Sequence, residues 1–231
     1  MKGRVIKSIY FATLGRFTLF NYYWKKARLR LPPDQRIVLH LGCGAHYIDL
    51  PGFVNIDANL FRRNDLWLDI TLGLPFPGES IDVVFASHLL EHFPEGTLRK
   101  VLREIHRVLK PTGGVRFITP HLRKALQAYW AEDARFFSDW PDAHVSFGGK
   151  LNNYLLCRNQ HRLMFDFGYF QELLEEAGFT HCEEMSPAES HFFSPAELER
   201  IQWEKAETHR SLFVEAFKDP APIGRERSSS G

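Results

Sequence analysis

Cysteine is scarce in this chain: Cys43, Cys157 and Cys182 are odd in number and scattered through 231 residues. No pair has metal-ligand spacing and no disulfide framework suggests itself, so a reducing, cytoplasmic setting is expected. Long apolar runs are missing as well. The N-terminal apolar stretches are broken by Lys7, Arg16 and Lys25-Lys26, so no secretory signal is expected, and no window approaches the roughly 20 apolar residues that cross a bilayer. Acidic side chains are absent from positions 1–33, which hold eight basic ones: Lys2, Arg4, Lys7, Arg16, Lys25, Lys26, Arg28 and Arg30. The overall charge of +1 therefore conceals a remainder with 21 basic against 28 acidic residues. That net acidic remainder argues against a nucleic-acid partner.

What is present suffices for a core. With 44% hydrophobic and 25% charged residues the chain is not disordered, and its length suits one domain. The expected division is a basic, aromatic extension over residues 1–33, a domain over 34–219 and a solvated tail over 220–231.

Along the chain, Arg36–Leu41 is short, β-branched and bounded by prolines before and glycines after, which predicts a buried strand. Phe53–Ile56 and Leu66–Leu68 predict two more, each running into an aspartate, and Ile81–Ala86 a fourth. A helix is predicted from Glu95 to Leu109, because Leu98, Val101, Leu102, Ile105, Val108 and Leu109 recur at three and four. Pro111-Thr-Gly-Gly114 stops it before a fifth strand, Val115–Thr119. Later come a helix over Phe170–Ala177, a strand over His181–Met185, a helix over Pro195–Glu207 and a closing strand over Leu212–Phe217. The stretch Arg123–Arg162 shows little periodicity. It reads as an irregular insertion above the sheet whose aromatics (Trp130, Phe136, Phe137, Trp140, Phe147, Tyr154) form a lid or plug a core edge. Alternating strands and helices argue for a parallel sheet covered on both faces.

In such a sheet, ligands bind at the carboxyl ends of the strands. The first strand ends in Gly42-Cys43-Gly44, where two glycines let the backbone turn tightly against a ligand. The second ends in Asp57, an acid able to accept both ribose hydroxyls of a nucleoside. The third ends in Asp69-Ile70, near where an adenine amino group would lie. The fourth ends in Ser87-His88-Leu89-Leu90-Glu91-His92 and the fifth in Thr119-Pro120-His121. Each signal alone is weak; their order is what a nucleoside site needs.

The segments Val38-Leu-His-Leu-Gly-Cys-Gly44, Val54-Asn-Ile-Asp57, Leu74-Pro-Phe76, Leu90-Glu-His92 and Arg107-Val-Leu-Lys-Pro-Thr-Gly-Gly114 resemble the motifs of class I S-adenosylmethionine-dependent methyltransferases with the type 11 core. More narrowly, Leu50–Asp57 resembles predicted bacterial methyltransferases linked with cell-surface polysaccharide synthesis. The resemblance covers about residues 36–120 and extends loosely through Gln160–Arg162, Ala177–Phe179, Glu189-Ser190 and Val214–Lys218. It implies a Rossmann-like, doubly wound α/β fold: seven strands, the last antiparallel, with helices on both faces. It also implies that Gly42, Cys43 and Gly44 line the methionine part of S-adenosylmethionine. Asp57 would hold its ribose, Asp69 and Ile70 flank adenine, and Ser87 and His88 sit by the sulfonium. Three departures stand out. His46 occupies the third glycine position, Pro51-Gly52 leaves room only for a very short helix after the turn, and His121 replaces an aspartate at the fifth strand end.

A nicotinamide enzyme would need G-x-G-x-x-G and a later acid, whereas position 47 is Tyr. His88-Leu-Leu-Glu-His92 matches the H-x-x-E-H pattern of inverted zinc proteases, but it follows a strand directly and precedes Pro94. The preferred reading assigns no metal and makes Glu91 and His92 hydrogen-bonded loop residues; His88, Glu91 and His92 are the residues that would hold a divalent ion, as in some methyltransferases of this superfamily. If the acceptor is a hydroxyl of a glycan or other small molecule, a base must take its proton. His121, His92 and His161 are the candidates, in that order. The rival from another class is a catalytically silent scaffold of the same fold. For residues 1–33, seven aromatics among eight cations suit peripheral contact with an anionic inner membrane face, or equally a helix packed on the domain.

Overall fold

All four residues of Val38–Leu41 (β1) are buried, as a central strand covered on both faces requires. In the computed structural model the described residues are 34–139, 141–201 and 209–219, with Phe20, Tyr23 and Trp24. The rest of the 1–33 extension, Trp140, the expected helix beyond residue 201 and the 220–231 tail lie outside them.

The remaining strands are Phe53–Asp57 (β2), Leu66–Trp67 (β3), Ile81–Ser87 (β4), Leu109–Pro120 (β5), Thr180–Glu184 (β6) and Ser211–Phe217 (β7). They form one sheet in the order β3-β2-β1-β4-β5-β7-β6, with β7 antiparallel to both its neighbours and the other pairs parallel. The expected seven-strand, doubly wound fold with a reversed last strand is what forms. The order reverses between β1 and β4, and the crevice at such a reversal is where this architecture binds ligands.

Alternation along the strands divides the core in two. Leu39, Leu41, Val84, Ala86, Val115, Phe117, Leu212, Val214 and Ala216 face one side. The helix Glu95–Val108 (α1) covers them with Leu98, Val101, Leu102, Ile105 and Val108, and the helix Phe167–Glu176 (α4) adds Phe170, Leu173 and Leu174. Burying each such side chain contributes roughly 1.5–3 kcal/mol before entropy is counted. Val38, Val83, Phe85, Ile118 and Phe213 face the other side, under Leu198 and Ile201 of the helix Pro195–Ile201 (α5). That helix starts in a capping box: Ser194 Oγ accepts from Glu197 N at 3.3 Å while Glu197 Oε2 accepts from Ser194 N at 2.8 Å. On this second face Arg116 and Glu215, directly paired across β5 and β7, form a fully buried ion pair at 2.7 Å. Arg116 also donates to Glu189 O and Pro187 O, which ties the loop after β6 down onto the sheet.

Three expectations change. The stretch 123–162 is not irregular: it contains the helices Leu122–Trp130 (α2) and Phe147–Leu156 (α3). Their apolar stripe is mostly small and aromatic (Ala125, Ala128, Phe147, Tyr154, with Leu151) and packs on Phe136 and Phe137, a third small core with little aliphatic periodicity to betray it. No helix, even a short one, forms between β1 and β2, because Pro51 and Gly52 close that connection. Gly52 has φ +82 and a Cβ there would lie 2.1 Å from Arg36 O. Finally, β5 begins at Leu109, directly after α1, so Pro111–Gly114 runs within the strand across an irregular register with β4. Gly114 passes so close to β7 that a Cβ would sit 2.5 Å from Ala216 O.

Candidate active site

The turn after β1 is left-handed at both glycines, φ +66 at Gly42 and φ +52 at Gly44, a conformation that L side chains rarely adopt. At Gly42 a Cβ would press on Leu89 at 2.6 Å, so the loops after β1 and β4 meet there. Around Gly44 the only atom among the described residues within reach of a Cβ is Gly42 O at 3.9 Å, leaving space among them beside the turn. Asp57, at the end of β2, binds this turn directly. Its Oδ2 accepts from Gly44 N at 2.8 Å and its Oδ1 from Asn59 N at 2.6 Å. Cys43 is buried and burial, with Asp57 and Asp65 adding to it, pushes its thiol up to about 12; it is an inert packing residue.

Behind the turn, His40 and Asn55 are register partners on β1 and β2, and His40 Nδ1 lies 3.0 Å from Asn55 Oδ1. Asn55 also holds the loop that replaces the missing helix, through Ile48 N at 2.9 Å and Ile48 O at 3.0 Å. Burial, outweighing the bond to Asn55, lowers His40 from 6.5 to about 4.

At the third strand end Asp69 caps a short 3-10 turn, Ile70–Leu72, accepting from Thr71 N at 3.0 Å and Thr71 Oγ1 at 2.7 Å; Ile70 is buried beneath it. Ser87 is buried at the end of β4. His88 follows with φ +49, a strained backbone for a side chain of its size. Its Nε2 lies 3.3 Å from Ser211 Oγ and its Nδ1 3.3 Å from Glu91 Oε1. Glu91 is wholly buried, and neither carboxylate oxygen has a hydrogen bond of good geometry. Burial alone would raise its carboxyl, but the facing His88, His92 and His161 outweigh that and hold it below its ordinary value.

The structure brings His92 and His161 together, while His121 stands at the end of β5, as the residue before α2. The rings of His92 and His161 meet edge to face at 5.2 Å, beside Glu91. His161 is lowered, first by burial and then by His92, with Glu91 opposing. His121 is 4% exposed, with Nε2 3.4 Å from Glu184 Oε1 on the outermost strand. Burial and Lys124 lower it while Glu184 opposes them. Of the H-x-x-E-H segment, Glu91 and His92 come together with His161, one ligand atom of each within 4.8 Å of the others, and His88 reaches Glu91 through Nδ1. His161 is a candidate base from sequence, but its partnership with Glu91 is not legible there, because a separation of about 70 residues leaves no periodic trace. Tyr154 was also unforeseen as a tie: its hydroxyl accepts from His121 N at 2.9 Å and donates to Arg210 O at 2.7 Å, joining α3 to both strand ends.

A glycine turn, an acid bonded to it on the next strand and a polar loop across the crevice make an arrangement that a nucleoside ligand would fit. Residues 48–117 match the family model described as a methyltransferase domain, of type 11. That match spans 70 of the 231 residues, and the activity it carries is that of an S-adenosylmethionine-dependent methyltransferase. Among solved structures, a S-adenosylmethionine-dependent methyltransferase from Archaeoglobus fulgidus superposes with a TM-score of 0.51 at 14% identity, covering 90% of this chain and 99% of that one. A Haemonchus contortus phosphoethanolamine N-methyltransferase, solved with phosphomonomethylethanolamine and S-adenosylhomocysteine, gives 0.48 at 15% identity, over 86% of this chain and 52% of that one. Likeness at this identity is likeness of fold. No curated protein matches the chain. S-Adenosylmethionine is the methyltransferase's cofactor, and the turn fits it: the described residues leave space beside Gly44, and the half-buried Asp57 carboxylate keeps lone pairs beyond its two backbone bonds. No helix among the described residues is long and apolar enough to cross a membrane.

Proposed function

We propose that this methyltransferase methylates a hydroxyl group of a glycan or another small acceptor. The observation that carries the reading is the Glu91–His92–His161 cluster immediately after the Ser87-His88 end of β4. A hydroxyl is a poor nucleophile until its proton is taken, and this cluster offers a proton acceptor where the sulfonium end of the cofactor would lie. Bound S-adenosylmethionine supplies an electrophilic methyl carbon. In this assignment Gly42, Cys43 and Gly44 line the methionine part, Asp57 holds the ribose, Asp69 and Ile70 flank adenine, and Ser87 and His88 border the reacting end. His161, lowered by burial, is neutral at pH 7 and ready to accept a proton. As a base, His92 or His161 takes the acceptor's hydroxyl proton on a ring nitrogen while the buried Glu91 carboxylate stabilises the imidazolium. His121, clamped between Tyr154 and Glu184, is better suited to holding the end of β5 in place.

The scaffold alternative is not favoured, since the turn glycines and Asp57 are both present and bonded to one another. For residues 1–33 we infer contact with an anionic membrane surface, in keeping with an envelope glycan as acceptor. The exposure of Phe20, Tyr23 and Trp24 supports it.

The test is radiolabelled methyl transfer to cell-envelope fractions by wild type, His92→Ala and His161→Ala. General-base loss costs about 10²–10⁴-fold, so turnover should fall at least 100-fold in one of the two while adenosylhomocysteine still binds by calorimetry. Unchanged turnover in both variants refutes the assignment.

A further inference from the structure

We propose that Glu91, His92 and His161 form a binding site for one divalent transition-metal ion. This deepens the hydroxyl-acceptor reading and rests on it for its role, though not for its existence.

Four observations converge. First, Glu91 is wholly buried, and apart from the approach of His88 Nδ1 at 3.3 Å its oxygens lack a hydrogen bond of good geometry. A buried carboxylate in that condition costs several kcal/mol unless a cation meets it. Second, one ligand atom each from Glu91, His92 and His161 lies within 4.8 Å of the others. Three such atoms share a centre no more than about 2.8 Å from each, against metal bonds of about 2.0–2.2 Å. Side-chain shifts under about 1 Å therefore close the site. Third, the imidazoles are already oriented. His92 Nδ1 lies 3.1 Å from Gln160 O and His161 Nδ1 3.2 Å from Leu155 O. A carbonyl oxygen only accepts, so each Nδ1 carries the proton and each Nε2 presents a lone pair. That is the outer-shell arrangement by which histidine ligands are held for metals. Fourth, the two chain segments are joined independently of any ion, since Glu91 O accepts from Arg162 N at 2.7 Å and Leu163 N at 3.2 Å. His88 Nδ1, 3.3 Å from Glu91 Oε1, steadies that carboxylate.

Two histidines and a carboxylate are the donor set of three-ligand catalytic zinc sites, which keep a position open for water or substrate. Imidazole nitrogens favour zinc and the later first-row transition metals over magnesium or manganese, which prefer oxygen. The site follows the end of β4, so the open position would take the acceptor's hydroxyl oxygen. There the ion lowers the hydroxyl's pKa and its proton leaves to solvent water. The oxygen then forms its bond to the methyl carbon as the carbon–sulfur bond breaks, releasing adenosylhomocysteine. With the ion in place, His92 and His161 serve as ligands and the metal replaces an imidazole as the means of activation.

The experiment is titration of chelator-treated, full-length protein with Co²⁺, read by its visible absorption, and with Zn²⁺, read by calorimetry, both without acceptor. One equivalent of each should bind. His161→Ala and His92→Ala should each weaken binding at least about 10–100-fold, the cost already seen when only an outer-shell partner is lost. The exposed His191→Ala should bind as wild type does. Glu91→Gln should also lose the ion; if it fails to fold, the two half-exposed histidine variants decide. Absence of stoichiometric binding, or equal binding by wild type and both histidine variants, overturns the site. Metal binding without methyl transfer to any hydroxyl acceptor overturns the acceptor reading alone.

Discussion

His40 makes the stability of this fold fall in mild acid. Its imidazole is 2% exposed, bonded to Asn55 Oδ1 and packed on Phe85 at 5.2 Å between ring centres. Burial lowers it from 6.5 to about 4. The unfolded chain therefore binds a proton near pH 6.5 that the folded chain refuses until about pH 4. Stability contributed by the neutral form is complete above pH 6.5 and is lost as the pH falls towards 4, the unfolded state being the better proton binder across that window. The full gap corresponds to about 3 kcal/mol, and the part lost between pH 7 and pH 5 to about 2 kcal/mol. The perturbation is His40→Gln, which keeps an N–H for Asn55 and removes the titration. The assay is urea unfolding of both proteins at pH 7 and pH 5. Whatever the substitution costs at pH 7, the variant should lose about 2 kcal/mol less than wild type on acidification. Equal losses would refute the reasoning, by showing that His40 is protonated in the fold or reaches water.

Two further predictions concern ligands. Asp57→Ala leaves the Gly44 and Asn59 N–H groups without their acceptor and removes the carboxylate from the ribose side. Charge-assisted bonds of this kind contribute about 1.5–3 kcal/mol, so calorimetry should show adenosylhomocysteine binding about 10–100-fold more weakly; unchanged affinity would remove Asp57 from the site. Charge reversal of Lys25, Lys26 and Arg28 to Glu in the full chain should abolish flotation with anionic vesicles, and equal flotation of variant and wild type would end the membrane proposal.

Strands were the legible part of this sequence. Each predicted strand exists within a few residues, because short β-branched runs bounded by Gly, Pro or Asp leave few alternatives. The helix over 95–108 was equally plain from its three-and-four spacing. α2 and α3 were not, since Ala125, Ala128, Phe147 and Tyr154 bury against aromatics rather than in an aliphatic stripe, and Gly148-Gly149 at the start of α3 mimics a loop. At the site, residues on consecutive strand ends could be ordered from sequence alone, whereas contacts across the crevice could not. His161 beside Glu91, Ser211 beside His88 and Leu89 against Gly42 depend on how distant segments dock.

The missing helix between β1 and β2 explains why that crevice is lined with so much buried polar structure. In a doubly wound fold a helix after the first strand usually fixes the glycine turn by packing its apolar face on the sheet. Here residues 42–52 form a loop, and a loop has backbone groups to satisfy rather than an apolar face to bury. Asn55 satisfies them: one amide side chain bonds Ile48 N and O, the His40 ring and Asp65 Oδ2. Asp65 in turn accepts from Asn55 N at 2.8 Å and from the Tyr47 hydroxyl at 2.6 Å, and Arg63 stacks 3.7 Å above the Tyr47 ring. Every lone pair and proton of the Asn55 amide group is thereby in use, the condition under which a buried polar network rigidifies instead of destabilising. The network runs from β1 to β2 beside Gly42 and Asp57, so the geometry of the glycine turn rests on hydrogen bonds where related folds rest it on a helix. A turn held this way inherits the pH dependence of its one titrating member in the core, His40.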